Sequence, residues 1–200
     1  IIDTIIPIAP GLTEKLKEGI KVVDIGCGRG KAIRKLAHEF PESSFTGFDL
    51  CEDAVDFARV ETVSEGLKNA QFELQDVAKL SDEETYDLIF AFDAIHDQAK
   101  PDVVLKNIFN ALKPGGTFLM QDIGVSSDVE NNKNHPLSPL VYTISCMHCM
   151  TVSLAQEGAG LGAAWGRELA EKMLREAGFE KIAIHDLEHD PLNCFFVCVK

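Results

Sequence analysis

The chain has 200 residues, enough for one domain that buries roughly 70% of the surface its unfolded form would expose. At 46% hydrophobic and 26% charged, with no low-complexity tract or internal repeat, it reads as globular rather than fibrous or disordered. A formal charge of −13, unrelieved by any local basic cluster, repels phosphate backbones and anionic lipid and argues against nucleic acid or a membrane surface as a partner.

The opening IIDTIIPIAPG is apolar and starts on Ile1 rather than Met, so the expectation is the interior of a longer protein with a segment upstream. It shows no charged leader or cleavage site. The most apolar stretch, 137–156, carries His148, Gln156 and several hydroxyl residues, unlike a membrane span. Six cysteines in apolar surroundings or in a glycine turn predict reduced thiols in a cytoplasmic protein, not a disulfide scaffold.

Lys21–Ile25 is a short β-rich run ending at glycines, and 31–40 places Ile33, Leu36, Ala37 and Phe40 on one helical face. Ser44–Asp49 reads as a second strand, 52–66 as a helix, Ala70–Leu74 as a third strand, and Tyr86–Phe92 as a fourth, apolar enough to be buried on both faces. A helix over 101–112 begins with Pro, where the missing N–H costs nothing, and stops at LKPGG before a strand over 117–123. After residues 124–165, too long for an ordinary connection, come a helix over 163–177 closed by Gly178 and strands over 181–186 and 194–199, joined tightly enough for a hairpin. Such alternation predicts a doubly wound, mostly parallel seven-stranded α/β sheet with helices on both faces and an antiparallel last strand. Its ligand crevice lies beyond the carboxyl ends of the strands.

The turn that opens this crevice is VVDIGCGRG. A dinucleotide fingerprint reads G-x-G-x-x-G, but here Gly26, Gly28 and Gly30 alternate, Lys31 stands where the third dinucleotide glycine belongs, and Asp24 heads the loop. A carboxylate beside the loop disfavours a pyrophosphate. It suits a zwitterion whose ammonium meets the acid and whose carboxylate meets exposed backbone N–H groups. A plain tight turn is the simpler alternative.

VVDIGCGRG resembles the first motif of the class I, Rossmann-like methyltransferases that use S-adenosylmethionine (SAM). FTGFDL (45–50), LQDVAKL (74–80), YDLIFAFDAIHD (86–97) and LKPGGTFLMQDI (112–123) extend the resemblance along nearly the whole chain. It implies that Asp24, Gly26, Cys27, Gly28 and Gly30 hold the methionyl part of SAM. Asp49 would then accept hydrogen bonds from both ribose hydroxyls, with Leu50 and Phe48 as apolar walls. Asp76 and the Val77 N–H would meet the adenine, while Phe92 and Asp93 would line the floor beneath the sulfonium. The product would be S-adenosylhomocysteine. Asp49 and Asp76 also have a simpler reading as capping or turn residues.

The pattern DAIHDQ followed by HPLSPLVYTISCMHCMTVSLAQEGAGLGAAWG is similar to a subgroup that carries a winged-helix-like N-terminal domain, which implies a homodimer formed through that segment. Residues 124–165 are expected to form a cap or lid over a small-molecule methyl acceptor. In it a helix starting at Pro139 would carry Leu140, Ile144, Met147, Thr151 and Leu154 on one face, as core or cap packing rather than a substrate wall, and GAGLG (158–162) would flex as a lid or form a plain loop. His96, beside Asp97, is the candidate base, with His148 and Trp165 as candidate acceptor contacts. CMHC (146–149) supplies three soft ligands where a structural zinc site needs four, so its residues are read as adaptable packing and no metal is expected. Two other functions remain in view: a regulatory SAM-binding domain without turnover, and an NAD-dependent oxidoreductase.

Overall fold

The computed structural model describes residues 1–200. Its strands are β1 (Lys21–Ile25), β2 (Ser44–Asp49), β3 (Ala70–Leu74), β4 (Tyr86–Phe92), β5 (Leu112–Ile123), β6 (Lys181–Leu187) and β7 (Asp190–Val199). They form one sheet of order β3-β2-β1-β4-β5-β7-β6. The first five run parallel and β7 runs antiparallel to both its neighbours. The order reverses between β1 and β4, which opens the crevice at their carboxyl ends.

Both faces of the sheet are covered because successive side chains point to opposite sides. Val23, Ile25, Ile89, Phe118 and Phe196 join one core with α4 (Pro101–Ala111) and α8 (Arg167–Ala177). Val22, Leu88, Phe90, Leu119 and Phe195 join the other with α1 (Leu12–Glu18), α2 (Lys31–Glu39) and α3 (Glu52–Ser64). Helix α1 and the 3-10 turn Ile6–Ile8 were not anticipated; their Ile6, Leu12 and Leu16 close the second core, so the apolar opening packs on this domain's own sheet. All six cysteines are unpaired, and Cys194 and Cys198 lie in the first core as their shared strand face predicts. No helix is long and apolar enough to cross a membrane.

Helix α8 starts at Arg167, four residues later than the sequence pattern suggests. Gly166 takes φ +80°, and a Cβ there would lie 2.1 Å from the Ser127 nitrogen, so the chain must turn where the apolar pattern alone continues the helix.

Residues 124–165 contain α5 (Val129–Asn132), then α6 (Ser138–Ile144), a π turn (Ser145–Cys149) and α7 (Met150–Leu154) in unbroken succession. The expected packed stripe is overturned. Leu140, Ile144, Met147 and Leu154 are 41–77% exposed, and Thr151 is exposed with them. The buried face is Ser138, Val141, Ser145, Cys149 and Ser153. Its hydroxyls are satisfied by backbone: Ser138 donates to Asn132 O, Ser145 accepts from Ala164 N–H, and Ser153 donates to Gln98 O while accepting from Gly160 N–H. The bond to Ser153 also holds Gly160 of the 158–162 glycine run, whose Ala159 N–H donates to Ala99 O at 2.9 Å.

Candidate active site

The glycine turn owes its shape to backbone bonds. Gly26 and Cys27 N–H both donate to Phe48 O at 2.8 and 3.0 Å, and Gly30 N–H donates to Cys27 O. These N–H groups are therefore engaged by β2 and by the turn itself, contrary to the expectation that they face a ligand. Gly30 sits at φ +69° with its α-carbon against Phe72, where a Cβ would approach the ring to 2.3 Å; Gly28, at φ +52°, faces open space.

Asp49 ties the two strand ends together. Its Oδ2 accepts Gly28 N–H at 2.7 Å and its Oδ1 accepts Cys51 N–H at 2.8 Å. Each carboxylate oxygen keeps a further lone pair. Asp49 lines a cleft of about 230 Å³ with Gly26, Leu50, Val77, Asp93 and Asp97. Leu50 is 54% exposed and also borders an adjoining cleft of about 340 Å³ that contains Asp76, Val103 and Gln156. Asp76 caps the 3-10 turn Val77–Lys79 through Ala78 N–H and pairs with Lys79 at 3.0 Å, so the capping role holds for this residue. Phe92 stacks on Phe90 with ring centroids 5.3 Å apart at the cleft floor. A further cleft, about 310 Å³ and lined by Lys21, Thr46 and Tyr86, lies at the opposite, amino end of the strands, away from every ligand-type residue named above.

Asp24 is buried at the end of β1, and burial, reinforced by the charge of Asp49, pushes its carboxyl up to about 8. It would be neutral at pH 7 until a cation approached. Cys27 is likewise raised, by burial first and then by the charges of Asp24 and Asp49, so its thiol stays protonated and packs rather than reacts.

Near the carboxyl end of β4, Asp93 takes φ +51°, uncommon for a side-chain-bearing residue, and its Oδ2 accepts from Gln121 Nε2 at 2.8 Å. Desolvation at the cleft floor and the charge of Asp122 raise its carboxyl to about 6, against the pull of His96 and Gln121. The structure changes the picture of His96. Its side chain is buried, it does not line the cleft, and both ring nitrogens face carboxylates: Nδ1 lies 2.7 Å from Asp122 Oδ1, and Nε2 lies 3.4 Å from Asp97 Oδ1. Burial opposes charge on the ring, but the hydrogen bond and charge of Asp122, with the charges of Asp97 and Asp93, prevail and hold its pKa above the ordinary value. Asp97, one residue on, lines the cleft in its place.

The π turn separates the residues of CMHC. Cys146 and His148 face solvent, so His148 does not join the cleft, whereas Cys149 turns inward to Asp97 and His96. Burial, then the charge of the neighbouring Asp97 carboxylate, push the Cys149 thiol up to about 11. Trp165 is 4% exposed within the first core and its indole N–H meets no acceptor, so it supplies no acceptor wall. Asp122 and Cys149 are the site residues that sequence reasoning missed. LKPGGTFLMQDI did place Asp122 at a strand end, but nothing local ties it to His96.

The profile of a family described as "Methyltransferase domain" matches residues 16–186. Among curated proteins, the chain is similar to a fatty-acid O-methyltransferase of Mycolicibacterium smegmatis, 31% identical over 56% of this chain and 40% of the relative. It is also similar to phosphoethanolamine N-methyltransferase 3 of Arabidopsis thaliana, 31% identical over 86% of this chain and 31% of the relative. The chain thus spans less than half the length of these relatives. Among solved structures, a phosphoethanolamine N-methyltransferase 2 of Haemonchus contortus, in complex with phosphomonomethylethanolamine and S-adenosylhomocysteine, superposes with a TM-score of 0.68 at 19% identity, covering 91% of this chain and 49% of that one; at such identity the likeness speaks for the fold. The profile match runs from α1 to β6 and takes in the glycine turn, Asp49 and the whole β4–α4 region; the chain belongs to this family of methyltransferase domains.

Proposed function

We propose that this domain binds SAM across the carboxyl ends of β1 to β4 and transfers its methyl group to a small or medium organic acceptor. The observation that carries the reading is the clamped Asp49, a carboxylate fixed by two backbone N–H groups at the rim of a cleft, with lone pairs left for a diol and an exposed leucine beside it for a nucleobase. Asp24, buried and without a hydrogen-bond partner that would stabilise its charge, fits an arriving ammonium. Asp76 and Val77 border the adenine end, while Asp93 and Phe92 border the end where the sulfonium would lie. Relatives named as O- and N-methyltransferases support the reaction class and leave the acceptor atom open.

When bound, SAM supplies a methyl group already activated by its sulfonium. The chain's part is to align the acceptor and to keep water out, and orientation alone is worth roughly 7–11 kcal/mol. A protonated acceptor meets the carboxylates of Asp93 and Asp97 at the cleft wall, with His96 behind Asp97, rather than the imidazole itself. The buried position of His96 is also what favours the second reading, a regulatory SAM-binding domain without turnover.

Incubation with methyl-labelled SAM and a metabolite extract separates the two. Label passing into small organic molecules is the expected result; intact SAM binding with no transfer across many acceptors would establish the regulatory reading instead.

A further inference from the structure

We propose that His96, Asp97 and Cys149 form a three-ligand site for a divalent transition-metal ion of the zinc class, with the fourth coordination position open to the cleft. A ring nitrogen, a carboxylate oxygen and a thiol sulfur, one from each residue, lie within 4.8 Å of one another. The residues come from the β4–α4 loop and from the π turn. Irregular π turns of this kind occur often at functional sites, and within this one Cys149 is buried while Cys146 and His148 stay exposed.

The spacing favours an ion over a hydrogen bond. His96 Nε2 and Asp97 Oδ1 are 3.4 Å apart, and this carboxylate oxygen is buried with no hydrogen-bond partner. A tetrahedral ion with bonds of about 2.0–2.1 Å to nitrogen and oxygen sets two such ligands roughly 3.3 Å apart. The other ring nitrogen is already engaged. Nδ1 lies 2.7 Å from Asp122 Oδ1, which also accepts Ile123 N–H at 2.8 Å. A donating Nδ1–H leaves the lone pair on Nε2 for the ion, the arrangement by which a second carboxylate orients a metal-bound imidazole. The neighbouring group of Asp93, His96 and Asp122 does not qualify, because its 2.7 Å contact is a hydrogen bond and too short for two ligands of one ion.

Thiolate, carboxylate and neutral imidazole together balance a divalent charge, which suits a partly buried site, and this mixed soft and hard set favours zinc-like ions over magnesium or calcium. Binding expels the Cys149 thiol proton and, where the ring is an imidazolium, the Nε2 proton of His96 to solvent, and requires no oxidant or reductant. Three protein ligands and one open position is the composition of a catalytic rather than a structural zinc site. Asp97 also lines the cleft that holds Gly26 and Ala94, so the open position would take the oxygen or sulfur of an acceptor hydroxyl or thiol. This last step rests on the methyl-transfer reading; metal binding does not.

The test is titration of chelator-treated protein with Co²⁺ alone, followed by absorption spectroscopy, with SAM affinity measured in parallel so that loss of metal binding and loss of cofactor binding are told apart. Expected are a single bound equivalent with tetrahedral ligand-field bands and a thiolate charge-transfer band. The charge-transfer band should vanish in both Cys149→Ala and the closer-fitting Cys149→Ser and persist in Cys146→Ala, and Asp122→Asn should weaken binding about 10–100-fold. No band in the wild-type protein, or a band that survives in Cys149→Ser and disappears in Cys146→Ala, would overturn the proposal.

Discussion

The two sides of the cleft are built differently. On the side proposed for the cofactor, Gly26, Cys27, Gly28 and Asp49 hold one another through short-range bonds at the ends of adjacent strands, so the geometry follows from local chain conformation. On the acceptor side, His96, Asp122 and Cys149 arrive from a loop, a strand and a π turn and meet through side chains. The first construction is rigid and common to any ligand that carries a diol and an ammonium. The second can change with a few side chains, as sites grafted on one fold do.

Four substitutions sharpen that contrast. His96→Ala should have the largest effect, because it leaves the buried Asp122 carboxylate uncompensated; denaturant unfolding should show a loss of about 3–5 kcal/mol. Gly30→Ala attacks the other side through backbone alone. It places a Cβ against the Phe72 ring at positive φ, and a loss of about 1–3 kcal/mol is expected by the same measurement, with little change in the acceptor-side residues.

Asp24→Asn should act with a pH signature. Because the folded-state carboxyl is raised to about 8 from 3.8, the folded protein keeps a proton that the unfolded chain releases between those values. Stability is therefore fully present below about pH 4 and falls as pH rises through 8. The Asn variant has no such proton, so its stability should fall less over this window, keeping only the share of groups such as Asp93, and lie several kcal/mol above wild type at pH 8, with a shift of about four units at about 1.4 kcal/mol each setting the upper bound. Coincident pH curves would show that Asp24 does not carry the burial assigned to it. The smallest effect belongs to Met147→Ser on the exposed cap stripe, which should stay within about 0.5 kcal/mol; a larger loss would mean that this face is covered in solution.

The same contrast explains what the sequence could reveal. The alternating glycines, the acid ending β2 and the proline opening α4 each act on their immediate neighbours, and the sheet order follows from strand–helix alternation. Residues 138–154 misled because helical periodicity weighs Leu140, Ile144, Met147 and Leu154 as core, whereas inward serines gain more from bonding the 158–164 backbone. Gly166 cut short α8 through an approach to Ser126 and Ser127 that lie far back along the chain. Cys149 read as packing for the same reason: its neighbours His96 and Asp97 are distant in sequence and only the assembled fold brings them together. His96 was found by type and position, but its burial between two carboxylates is a property of the assembled sheet.

The most direct measurement is calorimetric titration of SAM into the wild-type protein, Asp49→Asn and Asp49→Ala, with NADH as the control ligand. Saturable SAM binding, no NADH binding and a loss of affinity of about tenfold or more in both variants are predicted, in line with roughly 1.5–3 kcal/mol for hydrogen bonds to a charged group. Undiminished affinity after removal of the Asp49 carboxylate, or NADH binding in place of SAM, would contradict the account.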